Sequence, residues 1–414
     1  MSNNLGFKSI EEIDVKNKKV LLRLDINSPI DVNTKKIVNT NRIDKSLKTL
    51  NYLKENGAKV AIIAHQGDTL DYQNLISLEE HASILSKKMQ TFVDYIDDVC
   101  GPAAIEKVNN LKSGDFIILG NLRYLGEELS TFENSVKLSD DQMKTNYLVR
   151  SLTPHFDLYV NDAFSAAHRN APSMVAFQKL LPSAAGYLFF DEVSTLKKVM
   201  TNPQSPCIFV LGGAKISDAF SMMEEVLSKN IADKILTCGV TGEVFLIASG
   251  YYLGKKVETF INDRGLSLFI DEAKELLNKY ANKIIMPIDL SYEMNNKREN
   301  VKLSENVGDY LYADIGDASI ELYSNIIKEA KTIFVNGPAG MYENPILENG
   351  TKYILQAIAD SKGFSVIGGG DSVTASVKFT DTTKMDYICT AGGAMVRYLS
   401  GKKLPLITAM ENSL

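Results

Sequence analysis

Chemistry-bearing residues fall into two groups along this chain. In the second half, LGGAKISD (211–218) places Gly212 and Gly213 directly after an apolar run and Lys215 at the start of the next helical pattern. Glycines let backbone come close to phosphate oxygens, and a helix start offers unpaired N–H groups with a partial positive charge. The spacing is not GxxxxGK[ST], so this is no Walker loop, and a tight turn with an exposed lysine is the plain alternative. IGGGDSVTASVKF (367–379) repeats the device, with Gly368, Gly369 and Gly370 leaving a strand and a helix beginning at Asp371-Ser372. Such backbone can wrap a transferring phosphoryl group. Asp371 can hold the Mg²⁺ of a metal–nucleotide, serve as a simple N-cap, or do both. CTAGGAM (389–395) is a further glycine turn, and NGPAGMYE (336–343) adds a Gly-Pro turn with Glu343, a ribose acceptor or a solvated loop side chain. Glycine turns of this kind in one half point to a nucleotide crevice.

The first half differs in kind. Its strand ends carry Arg23, Asp25 and Asn27, then His65, Arg123, and Asn161, Asp162, His168 and Arg169, while Arg42 opens a helix. Singly, each arginine suits a surface ion pair and each histidine a loop. Their common position after strands gathers them at one sheet edge, a basic hollow in an acidic protein. An arginine fork matches carboxylate and phosphate, so the hollow predicts a small anionic substrate. No GxSxG, HExxH or EF-hand loop occurs. Asp25 lies in RLDINSPI, which lacks the DxDx(T/V) form of an aspartyl-phosphate enzyme. Lys215 near Asp218 lacks the apolar burial of a Schiff-base lysine.

The elements that must position these groups alternate strand, turn and helix. Runs 18–26, 58–65, 115–120 and 156–162 read as strands, with helices over 42–56 and 77–89, the latter opened by a Ser77 cap with Glu80 three later. The second half adds strands over 206–213, 233–239, 282–289, 331–337 and 364–370. This rhythm predicts an α/β fold of doubly wound parallel sheets. Residues 186–202 read as a linking helix before Pro203 and Pro206, which sets a domain boundary near 185 and leaves the hinge within 184–206. With 414 residues the chain has length for two domains.

Composition bounds the partners. Lys plus Arg is 45 against 51 Asp plus Glu, a net charge of −6, which speaks against nucleic acid or an anionic membrane surface as partner. A 45% hydrophobic and 23% charged share is that of an ordered globular chain. No apolar run reaches the roughly 20 residues of a membrane helix, and the start lacks a signal-peptide core. Cys100, Cys207, Cys238 and Cys389 have no metal or disulfide spacing, which predicts reduced thiols and a cytoplasmic protein. A monomer or small homo-oligomer is expected.

Taken together, VLLRLDINSPI, TNRIDKSLKTL, AIIAHQG, GNLRY, YVNDAFSAAHR, LGGAKISD, VNGPAGMYE, IGGGDS and CTAGGAM resemble the phosphoglycerate kinase family, in family order from Val20 to Met395. SLEEHASILSKKM, GPAA and LTCGVTGEVFLIASG look most like its archaeal-type branch. The resemblance implies two Rossmann-like domains joined by a helix and hinge: 1–185 for the phosphoglycerate, 186–402 for Mg-nucleotide, and 403–414 returning to the first. It implies domain closure, and an ATP-dependent, reversible kinase making 1,3-bisphosphoglycerate from 3-phosphoglycerate. By the same resemblance Asp25 and Asn27 bind the glycerate, and Arg42 faces the reacting carboxylate and transferring phosphoryl. His65, Arg123 and Arg169 bind the substrate, the arginines chiefly at its distal phosphate. Lys215 and the amides of Gly369 and Gly370 stabilise the transferred group. Asp371 holds Mg²⁺ and Glu343 the ribose, while Asn336, Pro338, Gly212, Gly213, Gly368 and Ser372 line the nucleotide.

Three positions depart from the family pattern. HQGDT puts Asp68 where HQGRP carries a phosphate-binding arginine, Ala219 stands where many members have lysine, and the adenine-side GGG is Cys238-Gly239-Val240. Losing a charge-assisted hydrogen bond of about 1.5–3 kcal/mol weakens binding roughly 10- to 100-fold. Asp68 therefore opens a second reading, a related kinase for a different small carboxylate. A third is a non-catalytic nucleotide-binding protein, against which Arg42, Lys215 and Asp371 speak. A dehydrogenase would need GxGxxG with a later acidic residue, and no strand is followed by one.

Overall fold

The computed structural model describes residues 5–67, 74–304 and 308–413, so Asp68 lies outside the described residues. The chain forms two compact units, Met1–Ser194 with Lys403–Leu414, and Thr195–Lys402.

In the first unit, strands β1 (Lys19–Arg23), β2 (Lys59–Ile63), β3 (Val93–Ile96), β4 (Phe116–Leu119), β5 (Leu158–Asn161) and β6 (Ser183–Ala185) form one sheet. Its order is β3-β4-β2-β1-β5-β6 and every pairing is parallel. Strands such as Val20–Leu22 and Val60–Ile63 are fully buried, as continuous apolar runs covered on both faces must be. Helix Asn41–Glu55 buries Ile43, Leu50 and Leu53 against this core, with Leu47 partly covered. At about 1.5–3 kcal/mol for each fully buried aliphatic side chain, that stripe anchors the helix, and with it Arg42 in its first turn. The strand order reverses at β1, and the carboxyl end of such a switch point is where open α/β sheets place ligands.

The second unit contributes β7 (Cys207–Leu211), β8 (Lys234–Thr237), β9 (Ile284–Ile285), β10 (Asp289–Met294), β11 (Lys297–Lys302), β12 (Asp314–Ile315), β13 (Thr332–Asn336), β14 (Phe364–Gly368) and β15 (Tyr387–Ile388). Six of them make a sheet of order β15-β14-β13-β7-β8-β9, again parallel throughout. Its switch point lies between β7 and β13, where Asn336 pairs with Leu211 on one side and Gly368 on the other. That register ends three strands level, so their turns are neighbours.

Several local expectations are corrected. Ser77 does not cap its helix: Glu79–Met89 starts from Leu78 with no side-chain cap bond, and Glu80 instead accepts from the Ile37 amide at 3.2 Å. The single strand expected over 282–289 is the short β9 followed by the start of β10, which belongs to a separate antiparallel sheet β11-β10-β12. That hairpin turns at Asn295-Asn296, both at positive φ (52° and 57°), a conformation asparagine tolerates. Strands β3 and β6 escape the pattern because one is polar and half-buried and the other only three residues long. Helix Tyr187–Thr201 occupies the expected linking segment, and the unit division falls within it.

Candidate active site

The loop after β1 carries Asp25, buried at 6% exposure. Its carboxylate accepts from Arg42 Nη1 at 2.8 Å, the Ser165 hydroxyl and the Asn27 amide at 3.1 Å. The Asn27 side-chain oxygen in turn accepts from the Gly67 amide at 3.1 Å, tying this loop to the one after β2. Gln66 completes that tie. It brackets Ser28 through both backbone groups at 2.8 and 3.0 Å, pairs with Asn121, and takes a bond from His81 Nε2 at 3.2 Å.

Burial alone would raise the Asp25 carboxyl; the His65 imidazole, the Arg42 guanidinium, the Ser165 hydroxyl and Arg23 together hold it below the usual carboxylate range. Burial works the opposite way on His65 and lowers it to about 3, despite Asp25 nearby, with Arg23, Arg123 and Arg169 adding to the effect. A neutral imidazole contributes no charge at pH 7, so Arg42, Arg23 and Ser165 carry the stabilisation of Asp25 there. Arg23 Nη2 stands 3.1 Å from His65 Nδ1. Arginine only donates, so Nδ1 accepts and the neutral ring keeps its proton on Nε2.

Acidic and hydroxyl groups fix the arginines. Arg23 Nε donates to Ser173 Oγ at 3.3 Å, and the buried Glu128 accepts from both the amide and hydroxyl of Ser173 at 2.7 Å. Arg123 Nε donates to the Gly67 carbonyl at 3.1 Å and Nη1 to that of Glu128. Arg169 Nε pairs with Glu133 at 2.5 Å. The expected residues Asp25, Arg42, Arg23, His65, Arg123 and Arg169 thus share one electrostatic neighbourhood. Two neighbours do other work. Asn161 turns back to the Tyr159 hydroxyl at 2.7 Å, and Asp162 accepts from the Phe189 amide at 3.0 Å. Glu128, Glu133, Ser165 and Ser173 escaped the reading of the sequence. Ser165, inside NDAFSAAHR, was the one with a signal, since it sits between residues already singled out.

In the second unit the turns after β7, β13 and β14 interlock. Gly212 N–H donates to the Asn336 carbonyl at 3.0 Å and Gly213 N–H to that of Pro338 at 2.8 Å. The Gly239 amide bonds the Ala339 carbonyl at 3.0 Å, and Ser372 Oγ accepts from Gly337 N–H at 2.8 Å. A Cβ on Gly212 would lie 2.6 Å from Cys238 Sγ, so only glycine fits. Gly369 adopts φ +82° and caps helix Gly370–Phe379. The reading of Asp371 as N-cap is therefore corrected: it sits inside the first turn, exposed, and its carboxylate makes no hydrogen bond or ion pair among the described residues. Gly370 faces open space, whereas a Cβ on Gly368 would collide with Met395 and Phe334, so that glycine answers to packing. Lys215 is exposed at the start of helix Ile216–Ser228, and Glu343 is exposed next to the buried Tyr342. Cys238, buried and pushed above its usual range by that burial, precedes helix Gly239–Ala248.

Residues Gly370 and Asp371 present first-turn N–H groups without intrahelical acceptors, a setting suited to phosphate. No cluster of three or more His, Cys, Asp or Glu able to hold a metal occurs among the described residues. The unengaged Asp371 carboxylate at a glycine turn has the chemistry of a Mg²⁺ ligand, since that ion binds through one or two carboxylates plus nucleotide phosphates.

A sequence model described as phosphoglycerate kinase matches residues 10–402. The chain is 40% identical over 410 residues to the phosphoglycerate kinase of Methanococcus maripaludis, covering 98% of both chains. It is 37% identical over 412 residues to that of Sulfolobus acidocaldarius, covering 99% of this chain and 97% of the relative. The crystal structure of phosphoglycerate kinase from Pyrococcus horikoshii OT3 superposes with a TM-score of 0.86 at 37% identity, covering 97% and 98% of the two chains. That from Coxiella burnetii gives 0.82 at 30% identity, covering 98% of each. With matches of this extent to archaeal relatives above all, the chain belongs to the phosphoglycerate kinase family.

Proposed function

We propose that this protein transfers the γ-phosphoryl of ATP to the carboxylate of 3-phosphoglycerate, reversibly, giving 1,3-bisphosphoglycerate. The observation that carries the reading is the first-unit cluster, in which arginines and His65 surround a buried, ionised Asp25 within a chain of net charge −6. Such a hollow concentrates anions of the size of a phosphorylated acid. Neither a different carboxylate nor a non-catalytic role is favoured, because relatives matched along nearly the whole chain carry the phosphoglycerate kinase name.

Each unit contributes one half of the binding. In the first, Asp25 and Asn27 hold the glycerate hydroxyl, His65 Nε2–H donates to the acid, and Arg123 and Arg169 take its remote phosphate. Arg42, held at 2.8 Å by Asp25 yet 41% exposed along its side chain, has guanidinium edges left for the reacting carboxylate and the phosphoryl. In the second, the interlocked turns carry the nucleotide, with Asn336, Pro338 and Ser372 fixing their shape and Glu343 at the ribose. Asp371 would hold Mg²⁺, which would supply neutralisation of the nucleotide phosphates. Lys215 and the amides of Gly369 and Gly370 stabilise the phosphoryl group as it passes to the substrate carboxylate. Phosphoryl transfer needs in-line placement and neutralised equatorial oxygens more than bond chemistry from protein, which accounts for a site without a nucleophile. A cytoplasmic location accompanies this reading and agrees with four free, buried cysteines. No helix among the described residues is long and apolar enough to cross a membrane.

The test is purified protein with Mg-ATP and 3-phosphoglycerate, coupled to a dehydrogenase that consumes the acyl phosphate. Turnover on the order of 1–10³ s⁻¹ is expected. Intact ATP binding with no turnover on this acid, but turnover on another small carboxylate, would overturn the substrate assignment.

A further inference from the structure

Arg169 is held in an unusual way. Glu133, in the short helix Ser130–Ser135, accepts from Arg169 Nε at 2.5 Å through one carboxylate oxygen and from the Asn170 amide at 2.7 Å through the other. Both side chains are largely covered, at 15% exposure for Arg169 and 17% for Glu133. Arg169 Nη2 is fully buried and has no acceptor among the described residues. A buried guanidinium N–H without an acceptor costs about 1–3 kcal/mol, so packing alone does not account for this placement of Arg169.

We propose that Glu133 is a positioning residue that holds Arg169 for the remote phosphate of the acid substrate, and so sets the preference for a phosphorylated acid. The inference rests on the assignment of Arg169 to that phosphate. A guanidinium carries its five N–H groups in a rigid plane, so anchoring Nε fixes where the Nη groups lie. A carboxylate acting as a competitor would occupy the two-pronged end. Glu133 takes the Nε side and a backbone amide, and leaves Nη2 unsatisfied. Its second bond, to Asn170, also pins the backbone immediately after Arg169, so both the stem and the head of the arginine are constrained. Pre-set orientation lowers the side-chain ordering that ligand binding must otherwise cost.

Steady-state kinetics of the full-length enzyme test this. Glu133→Ala frees the guanidinium and is expected to raise KM for 3-phosphoglycerate about 10-fold, the size of one oriented charge-assisted bond, with KM for Mg-ATP and kcat changed less than about 2-fold. Arg169→Ala is expected to raise the same KM about 10- to 100-fold. In the Arg169→Ala background, Glu133→Ala should add less than about 2-fold, because Glu133 acts through that arginine. Glu133→Gln keeps the volume and one acceptor and should lie between wild type and Glu133→Ala; it carries the test if the alanine variant does not fold. An unchanged KM in Glu133→Ala and Glu133→Gln beside a raised one in Arg169→Ala would overturn the positioning role alone. So would full multiplication of the two effects in the double variant. An unchanged KM in Arg169→Ala would remove the underlying assignment and this inference together.

Discussion

Lys215 differs from the arginines of the first-unit cluster in that its side chain is exposed and makes no hydrogen bond or ion pair among the described residues. Arg23, Arg42, Arg123 and Arg169 are each tethered by a carboxylate, carbonyl or hydroxyl. Tethered forks suit a substrate that must be oriented before reaction, whereas a mobile point charge suits one whose charge moves during it. Lys215→Ala is therefore expected to lower kcat by about 10²- to 10³-fold while the nucleotide Kd shifts only a few-fold. Stopped-flow and equilibrium nucleotide binding on the same preparation check this, and equal losses in both would reduce Lys215 to a ground-state contact.

Among elements, the start of helix Tyr187–Thr201 is tightly constrained. Its first amides are taken by Thr49 Oγ1 at 2.9 Å and Asp162 Oδ1 at 3.0 Å, and a Cβ on the preceding Gly186 would come within 2.7 Å of Asp162 Cβ. Burial pushes the Asp162 carboxyl up to about 6, against the hydrogen bonds from Thr49, Phe189 and Leu188, with Asp191 adding repulsion. The folded state thus binds this proton more tightly than the unfolded chain does. The stability it contributes is complete below the ordinary value of 3.8 and is lost as pH rises through about 6, roughly 3 kcal/mol in all. Asp162→Asn keeps an acceptor for Phe189 without the charge, so its melting temperature should exceed wild type by several degrees at pH 8 and match it near pH 4. An offset that stays constant between those pH values would mean that Asp162 does not titrate in this range. The sequence disclosed this helix, the long buried strands and the glycine turns because apolar runs and punctuation report them directly. It hid the Asn295-Asn296 hairpin behind a half-exposed polar pattern. It hid Glu133 too, since a carboxylate 36 positions from its arginine leaves no spacing to read. The basic cluster itself was legible because each member follows a strand end, and strand ends converge in a parallel sheet. What Asp162 does was not, because a carboxylate after a strand looks the same whether it meets ligand or a neighbouring helix.

At the scale of the molecule, the first unit is discontinuous in sequence: it takes its closing helix, Pro405–Glu411, from the end of the chain. Leu404, Leu406 and Met410 are buried there at 1% exposure or less, and the Leu406 amide bonds the Ala167 carbonyl at 3.2 Å. At about 1.5–3 kcal/mol per buried side chain, the segment supplies a large part of a stability that is typically 5–15 kcal/mol. Deleting residues 403–414 is expected to raise hydrogen exchange throughout β1–β6 while β7–β9 and β13–β15 stay protected and Mg-ATP still binds. Uniform loss of protection across both sheets would show instead that the units do not melt separately.

The same return path imposes an order on synthesis. Ribosomes deliver the chain from its amino end, so the first unit lacks helix Pro405–Glu411 until the whole of the second has been made. The second unit, whose residues run without interruption, is free to mature while the first waits with apolar surface uncovered. A chain broken before Lys403 would therefore keep the second unit whole and leave the first exposed to chaperones and proteases.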